Sequence, residues 1–172
     1  MQKRENAVTF KGEPKTLIGP ELKVGDQAPD FACLSGLELV TLGKTPALAR
    51  VFSVVPSLDT PVCSQQTKKF EESLAAFKDK LACYTVSLDL PFAQGRFCSA
   101  EGINNMKTLS DVHDHSFGQN YGVLLEGLPL PLLTRAVFVV DKDGKIAYCE
   151  YVPEITSHPN YDAALEALKS VT

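Results

Sequence analysis

Eight residues, Pro56-Ser57-Leu58-Asp59-Thr60-Pro61-Val62-Cys63, set a thiol where it could act as a nucleophile. Thr60 suits the N-cap of a helix, its hydroxyl accepting from an otherwise orphaned backbone N–H. Pro61 suits the first helical position, because it has no N–H to leave unpaired. Cys63 then stands third in the helix, among free N–H groups and at the positive end of the helix dipole, and both favour an anion. Cysteines at such positions titrate at roughly 3.5 to 7.5, against about 8.5 for a free thiol. A small, buried and inert cysteine is the alternative, and it is the weaker one for a thiol that follows so closely on a cap and a proline.

The elements that must hold this turn are legible on both sides of it. Ala47 to Val55 is mostly apolar and β-branched, interrupted by Arg50 and Ser53 and ended by Pro56, which reads as a buried strand. After the thiol, Phe70, Leu74, Phe77 and Leu81 recur at helical spacing and predict one apolar stripe. Ala82 to Leu88 is a further strand, carrying Cys83; 92–103 is a short helix or ordered loop holding Cys98; Ser116 to Tyr121 is a short helix. Val8 to Phe10 and Lys15 to Ile18 flank Lys11-Gly12-Glu13-Pro14 as an N-terminal hairpin. Ala136 to Val140 and Lys145 to Val152 form another around Asp141-Lys142-Asp143-Gly144, and Tyr161 to Val171 closes the chain as an amphipathic helix. The order predicts an α/β fold with a mixed sheet.

The 172 residues, 44% of them hydrophobic, suffice for one core, and no composition shift divides them, so 1–172 reads as a single domain. A net charge of −4 without a Lys/Arg cluster argues against nucleic acid and anionic membrane surfaces as partners. No run is long and apolar enough to span a bilayer, and the polar start Met1-Gln2-Lys3-Arg4-Glu5-Asn6 leads into no apolar signal segment. The five cysteines are odd in number and scattered, unlike a secreted disulfide framework, so a reducing, cytoplasmic setting is expected.

Pro56, Thr60 and Cys63 match the Pro-x-x-x-Thr-x-x-Cys motif of the peroxiredoxins. The segment Asp89-Leu90-Pro91-Phe92-Ala93-Gln94-Gly95-Arg96-Phe97-Cys98, with Ala100-Glu101-Gly102, is similar to the second cysteine region of bacterial thiol peroxidases. The N-terminal hairpin, Arg135-Ala136-Val137 and Tyr161-Asp162-Ala163-Ala164-Leu165 resemble the same subfamily, so the resemblance covers nearly the whole chain. It implies a thioredoxin-like fold, with a central mixed sheet flanked by helices and an extra N-terminal hairpin. It also implies a peroxidase of antioxidant defence that reduces hydrogen peroxide and organic hydroperoxides without metal or organic cofactor. By the same resemblance, Cys63 is the peroxidatic thiolate, Cys98 resolves its sulfenic acid within the chain, and thioredoxin reduces the disulfide. Arg135 corresponds to the active-site arginine, Pro56 shields the thiolate, and the protein is a homodimer.

Without the resemblance, Arg135 reads as a solvated strand-end residue, Pro56 as a strand terminator and Cys98 as a free core thiol beside Phe97. Elementary chemistry nevertheless demands partners for Cys63. Lowering a thiol pKa from about 8.5 to about 6 raises the thiolate fraction at pH 7 only about 30-fold, and a less basic thiolate is a poorer nucleophile. Groups that hold the peroxide must supply the rest, and the hydroxyl of Thr60 and the cation of Arg135 suit that task. Cys98 lies 35 positions after Cys63, so joining them requires unwinding if both sit on ordered helices.

Cys33, Cys83 and Cys149 read as small buried hydrophobes, and none forms the close pair of a zinc site. Asp111-Val112-His113-Asp114-His115 reads as a solvated loop or helix start rather than a metal site. Leu124 to Leu133 reads by default as core packing, but its two prolines suit an irregular loop leading directly into Arg135, and it is offered as an apolar rim that favours organic hydroperoxides. Two other classes compete: a dithiol–disulfide oxidoreductase, which would want a Cys-x-x-Cys that Ser64-Gln65-Gln66 does not provide, and a non-catalytic binding or chaperone-like module.

Overall fold

The computed structural model describes residues 1–77 and 79–172. Its strands are β1 (Lys3–Phe10), β2 (Glu13–Ile18), β3 (Ala32–Ser35), β4 (Glu38–Thr41), β5 (Ala49–Val54), β6 (Leu81–Ser87), β7 (Lys107–Ser110), β8 (Leu124–Glu126), β9 (Ala136–Val140) and β10 (Ile146–Tyr151). The helices are α1 (Pro61–Leu74), α2 (Pro91–Glu101), α3 (Ser116–Asn120) and α4 (Tyr161–Val171). Seven strands form one sheet in the order β10-β9-β5-β6-β7-β3-β4. Within it β5, β6 and β7 run parallel, whereas β9 and β3 join antiparallel, so the sheet is mixed. With helices on both faces this is the thioredoxin-like α/β architecture.

The alternation of β5 explains its two polar interruptions. Ala49 and Val51 face α1 and α4, packing with Phe70, Leu74, Val137, Val139, Ala164 and Leu168. Phe52 and Val54 face the other way, into an aromatic cluster with Phe31, Tyr84, Phe117, Tyr121 and Phe138. A fully buried aromatic side chain of this kind contributes about 1.5–3 kcal/mol. On that second face Arg50 donates to the Asp141 carbonyl at 2.8 Å and to Thr45 at 3.2 Å, and its charge is thereby accommodated in the interior. Ser53 faces α1, where it receives a bond from Gln66.

A second sheet of three strands, β1-β2-β8, stands apart from the first. The expected hairpin is present and longer than the sequence indicates. Lys11 and Gly12 turn it with φ of 50° and 83°, the pair of positive values that a tight two-residue hairpin turn demands. Its third strand comes from the 124–133 run. Leu125 is buried with Val8 and Leu17, and Leu128 and Leu132 pack against the same cluster. That run therefore fills the hairpin's core.

Other expectations are revised. Helix α1 ends at Leu74, with a 3₁₀ turn over Ala75–Phe77, and Leu81 opens β6. Leu81 still packs with Phe70 and Leu74, so the helical spacing reported shared burial rather than a continuous helix. Cys83 is buried as expected, but Cys149 is only half-buried. Asp111 is not solvated. It is fully buried and accepts from the amides of Phe117 and Gly118 at 2.9 and 2.8 Å, starting α3, and from the Cys33 thiol at 3.6 Å.

Burial pushes the Asp111 carboxyl up to about 6 from an ordinary 3.8, against the opposing pull of those hydrogen bonds. The folded chain thus retains a proton that the unfolded chain releases, and this group's contribution to stability declines as pH rises between about 4 and 6. Asp111→Asn is expected to flatten that part of the Tm-against-pH curve. A slope identical to wild type would show that another group titrates there.

Candidate active site

Strand β5 ends at Val54, the buried Val55 and Pro56 follow, and the chain turns through Ser57–Thr60 into α1. The turn is pinned by Asp89, whose carboxylate accepts from Ser57 Oγ, the Leu58 amide and Ser87 Oγ, each at 2.8 Å. Thr60 occupies the cap position as expected, but its hydroxyl does not cap. It donates to the Ser57 carbonyl at 2.9 Å, because the turn folds that oxygen back within reach. The first helical bond runs from the Ser64 amide to the Thr60 carbonyl, so the amides of Val62 and Cys63 precede the ladder.

Cys63 is fully buried, packed with Val55 and Leu58, and Phe97 lies against the same group. Its sulfur accepts from Arg135 Nη2 at 3.3 Å. Arg135 is itself buried, 2% exposed, at the entrance to β9. Its Nη1 donates to Gln66 Oε1 at 2.9 Å and its Nε to the Ile155 carbonyl at 2.8 Å, while Gln66 Nε2 donates to Ser53 Oγ at 2.7 Å. All three guanidinium nitrogens are thus committed, and one of them faces the thiol. A cation fixed this way holds its orientation without reorganisation.

Gln66 is the residue that the sequence did not reveal. It lies one helical turn beyond Cys63, so a polar side chain on the apolar face of α1 was the available sign. Gln66→Ala is expected to free the guanidinium and lower kcat/KM for peroxide roughly 10-fold while the fold is retained. Unaltered kinetics would mean that Ile155 alone orients Arg135.

Arg135, which bonds the sulfur, lines a cavity of about 300 Å³ together with Phe10, Pro56, Thr60, Val62 and Ile155, among others; the buried Cys63 does not itself line it. Its walls are mostly apolar and come from the hairpin tip and the loop after β10. The expected apolar rim from Leu124–Leu133 is therefore corrected: none of that run lines the cavity, and the exposed Leu130 lies outside it. A larger groove of about 870 Å³ elsewhere is lined by Arg4, Glu21, Leu22, Cys149 and Tyr151. Its one thiol is Cys149, pushed up by burial and by Asp26 and Glu21.

The remaining cysteines differ from Cys63 in electrostatics. Burial raises Cys33, carries Cys83 up to about 12 and raises Cys98, with Asp111 or Glu71 adding repulsion. Among the described cysteines, only Cys63 accepts a hydrogen bond from a cation. No group of three His, Cys, Asp or Glu residues suited to a metal occurs among the described residues.

Cys98 is not brought to Cys63. Both are free thiols; Cys98 is half-buried on α2 and packs toward Phe70 and Ile103, whereas its neighbour Phe97 touches the Cys63 group. Helix α2 completely buries only Pro91 and Gln94. It is secured at its ends: Gln94 donates to Ser87 Oγ and the Leu109 carbonyl, both at 3.1 Å, and Glu71 of α1 accepts from the amides of Asn104, Asn105 and Met106 at 2.6, 2.7 and 2.9 Å.

The Redoxin family model matches residues 23–165. The chain is 50% identical over 165 residues to the thiol peroxidase of Bacillus subtilis (strain 168), covering 95% of this chain and 97% of that one. It is 53% identical over 163 residues to the thiol peroxidase of Listeria innocua, covering 94% and 97%. The crystal structure of a peroxiredoxin-like protein from Aquifex aeolicus superposes with a TM-score of 0.90 at 45% identity, over 97% of this chain and 98% of that one. A buried thiol under a fixed guanidinium, a mixed sheet with a separate hairpin and half-identical relatives along almost its full length agree: the chain belongs to the Redoxin family, among its thiol peroxidases.

Proposed function

We propose that the chain reduces hydrogen peroxide and organic hydroperoxides with Cys63 as the attacking thiolate, Arg135 and Thr60 as its partners and Cys98 as the resolving thiol. The contact between Arg135 Nη2 and the Cys63 sulfur carries this reading, since it gives one thiol of five a fixed cation. The thiolate attacks the terminal peroxide oxygen; the O–O bond breaks, Cys63 becomes a sulfenic acid, and the other oxygen leaves as hydroxide or alkoxide and takes up a proton. Arg135 stabilises the sulfur anion and then the charge that moves onto the leaving oxygen. The Thr60 O–H already donates to the Ser57 carbonyl, so its oxygen meets a peroxide as acceptor and orients the peroxide's own O–H. Pro56 helps keep water from the sulfur. Because Cys63 is covered, the peroxide enters through the cavity above it as the side chains at its floor part.

The Cys98 thiolate then displaces hydroxide from the sulfenic sulfur, which leaves as water, and a disulfide forms. Thioredoxin, itself oxidised to a disulfide, returns both thiols. Rearrangement of α2 is required, and its sparse burial supports that. No metal or organic cofactor takes part. We further assign the 172 residues to one domain, cytoplasmic, and a homodimer whose contact includes the exposed Leu90 and Phe92 beside the site. No helix among the described residues is long and apolar enough to cross a membrane.

Mass spectrometry of the protein after one equivalent of peroxide tests the reading. An intramolecular Cys63–Cys98 disulfide, reducible by thioredoxin, is expected. An intermolecular disulfide or a persistent sulfenic acid would assign a different resolving group.

A further inference from the structure

We propose that the Glu154 carboxylate is the clasp that holds the hairpin tip in place as a wall of the peroxide cavity, making Glu154 a positioning residue for substrate choice. The inference rests on the Cys63 reading above.

Glu154 lies in the loop after β10, immediately before Ile155, whose carbonyl holds Arg135. Its Oε1 accepts from Thr9 Oγ1 at 2.9 Å and the Gly12 amide at 2.8 Å, and its Oε2 from the Lys11 amide at 3.2 Å. Oε2 also accepts from the Thr156 amide at 2.9 Å and the Thr156 hydroxyl at 2.6 Å, which fix the carboxylate's own orientation. One side chain therefore gathers Thr9, Lys11 and Gly12 from the hairpin and Thr156 from its own loop. These hydrogen bonds hold the Glu154 carboxyl at about 2, so it remains anionic throughout the neutral range.

The position of these contacts gives them their consequence. Backbone bonds from the Thr9 amide to the Pro153 carbonyl and from the Ile155 amide to the Thr9 carbonyl secure the strand only as far as Thr9. Beyond it, the Lys11 and Gly12 amides at the turn are held by Glu154. Phe10 and Lys11 line the cavity on one side, and Ile155 and Thr156 on another. Hydrogen peroxide needs only the sulfur, Arg135 and Thr60, whereas an organic hydroperoxide also lays its hydrocarbon group against Phe10 and Ile155. Loosening the tip removes contacts from the second substrate alone.

The test compares Glu154→Ala and Phe10→Ala with wild type, with hydrogen peroxide and cumene hydroperoxide as substrates and thioredoxin as reductant. The ratio of KM for cumene hydroperoxide to KM for hydrogen peroxide is expected to rise roughly 10-fold in both variants, with kcat for cumene hydroperoxide retained. Glu154→Gln, which keeps the shape and one acceptor oxygen, is expected to fall between. Equal losses with both peroxides would overturn the proposal by showing that Glu154 acts on Arg135 through Ile155. An unaltered ratio in Glu154→Ala at full activity would overturn it by showing that strand pairing alone holds the tip. A wild-type protein that turns over neither peroxide would instead refute the Cys63 reading.

Discussion

Cys63→Ser is expected to eliminate peroxide turnover, a loss of ~10⁴-fold or more, down to the rate of the thioredoxin system alone. A serine hydroxyl is not ionised at neutral pH, and its oxygen cannot be taken to the sulfenic level. The substitution removes one atom's chemistry and little else. Its neighbours Val55, Leu58 and Phe97 still pack around a side chain of nearly the same volume. Stopped-flow peroxide consumption, paired with a thermal melt to show the variant folded, measures the effect. Residual turnover above about a thousandth of wild type would exclude Cys63 as the attacking group. Cys98→Ser provides the counterpart: it should still consume one equivalent of peroxide per chain and then stop.

Arg135→Met is expected to lower kcat/KM by about 10²–10³, the range seen when a single preorganised donor to a developing charge is removed. It should also destabilise the fold by about 1–3 kcal/mol, because Gln66 Oε1 and the Ile155 carbonyl are left buried without a donor. The two effects are separable with Arg135→Lys. Lysine restores a positive charge but not the fork that serves Gln66, Ile155 and the sulfur together, so it should recover part of the stability and little of the rate. Full activity in the lysine variant would mean that the charge alone matters and the geometry of the fork does not.

The site was unevenly legible in the sequence. Pro56, Thr60 and Cys63 fall within one octapeptide, and the cap-and-proline argument needs nothing beyond local backbone geometry. Arg135 lies far along the chain, and only the antiparallel register of β5 and β9, which sets Val54 opposite Ala136, carries it to the sulfur. Its place was legible through resemblance alone. Gln66 and Glu154 were missed for the same reason, since each acts on a partner tens of residues away. The Leu81 error has another origin: helix α1 and strand β6 contribute to the same core, so a spacing of seven from Leu74 fits either element. The Leu124–Leu133 run packs as its apolar composition suggests yet forms no rim to the cavity, because composition does not say which sheet a strand will join.

Helix α2, fixed at its two ends and lightly packed between them, also bears on how long such a catalyst survives its own substrate. A sulfenic acid has two fates: condensation with a thiol, which is reversible, or attack on a second peroxide, which yields a sulfinic acid. In the proposed cycle the first is unimolecular and waits on the unwinding of α2; the second scales with peroxide concentration. Every contact that α2 lacks shortens the wait. With Cys98 as the proposed resolving thiol, a helix that buries little is a safeguard: it raises the peroxide concentration at which irreversible oxidation overtakes recycling.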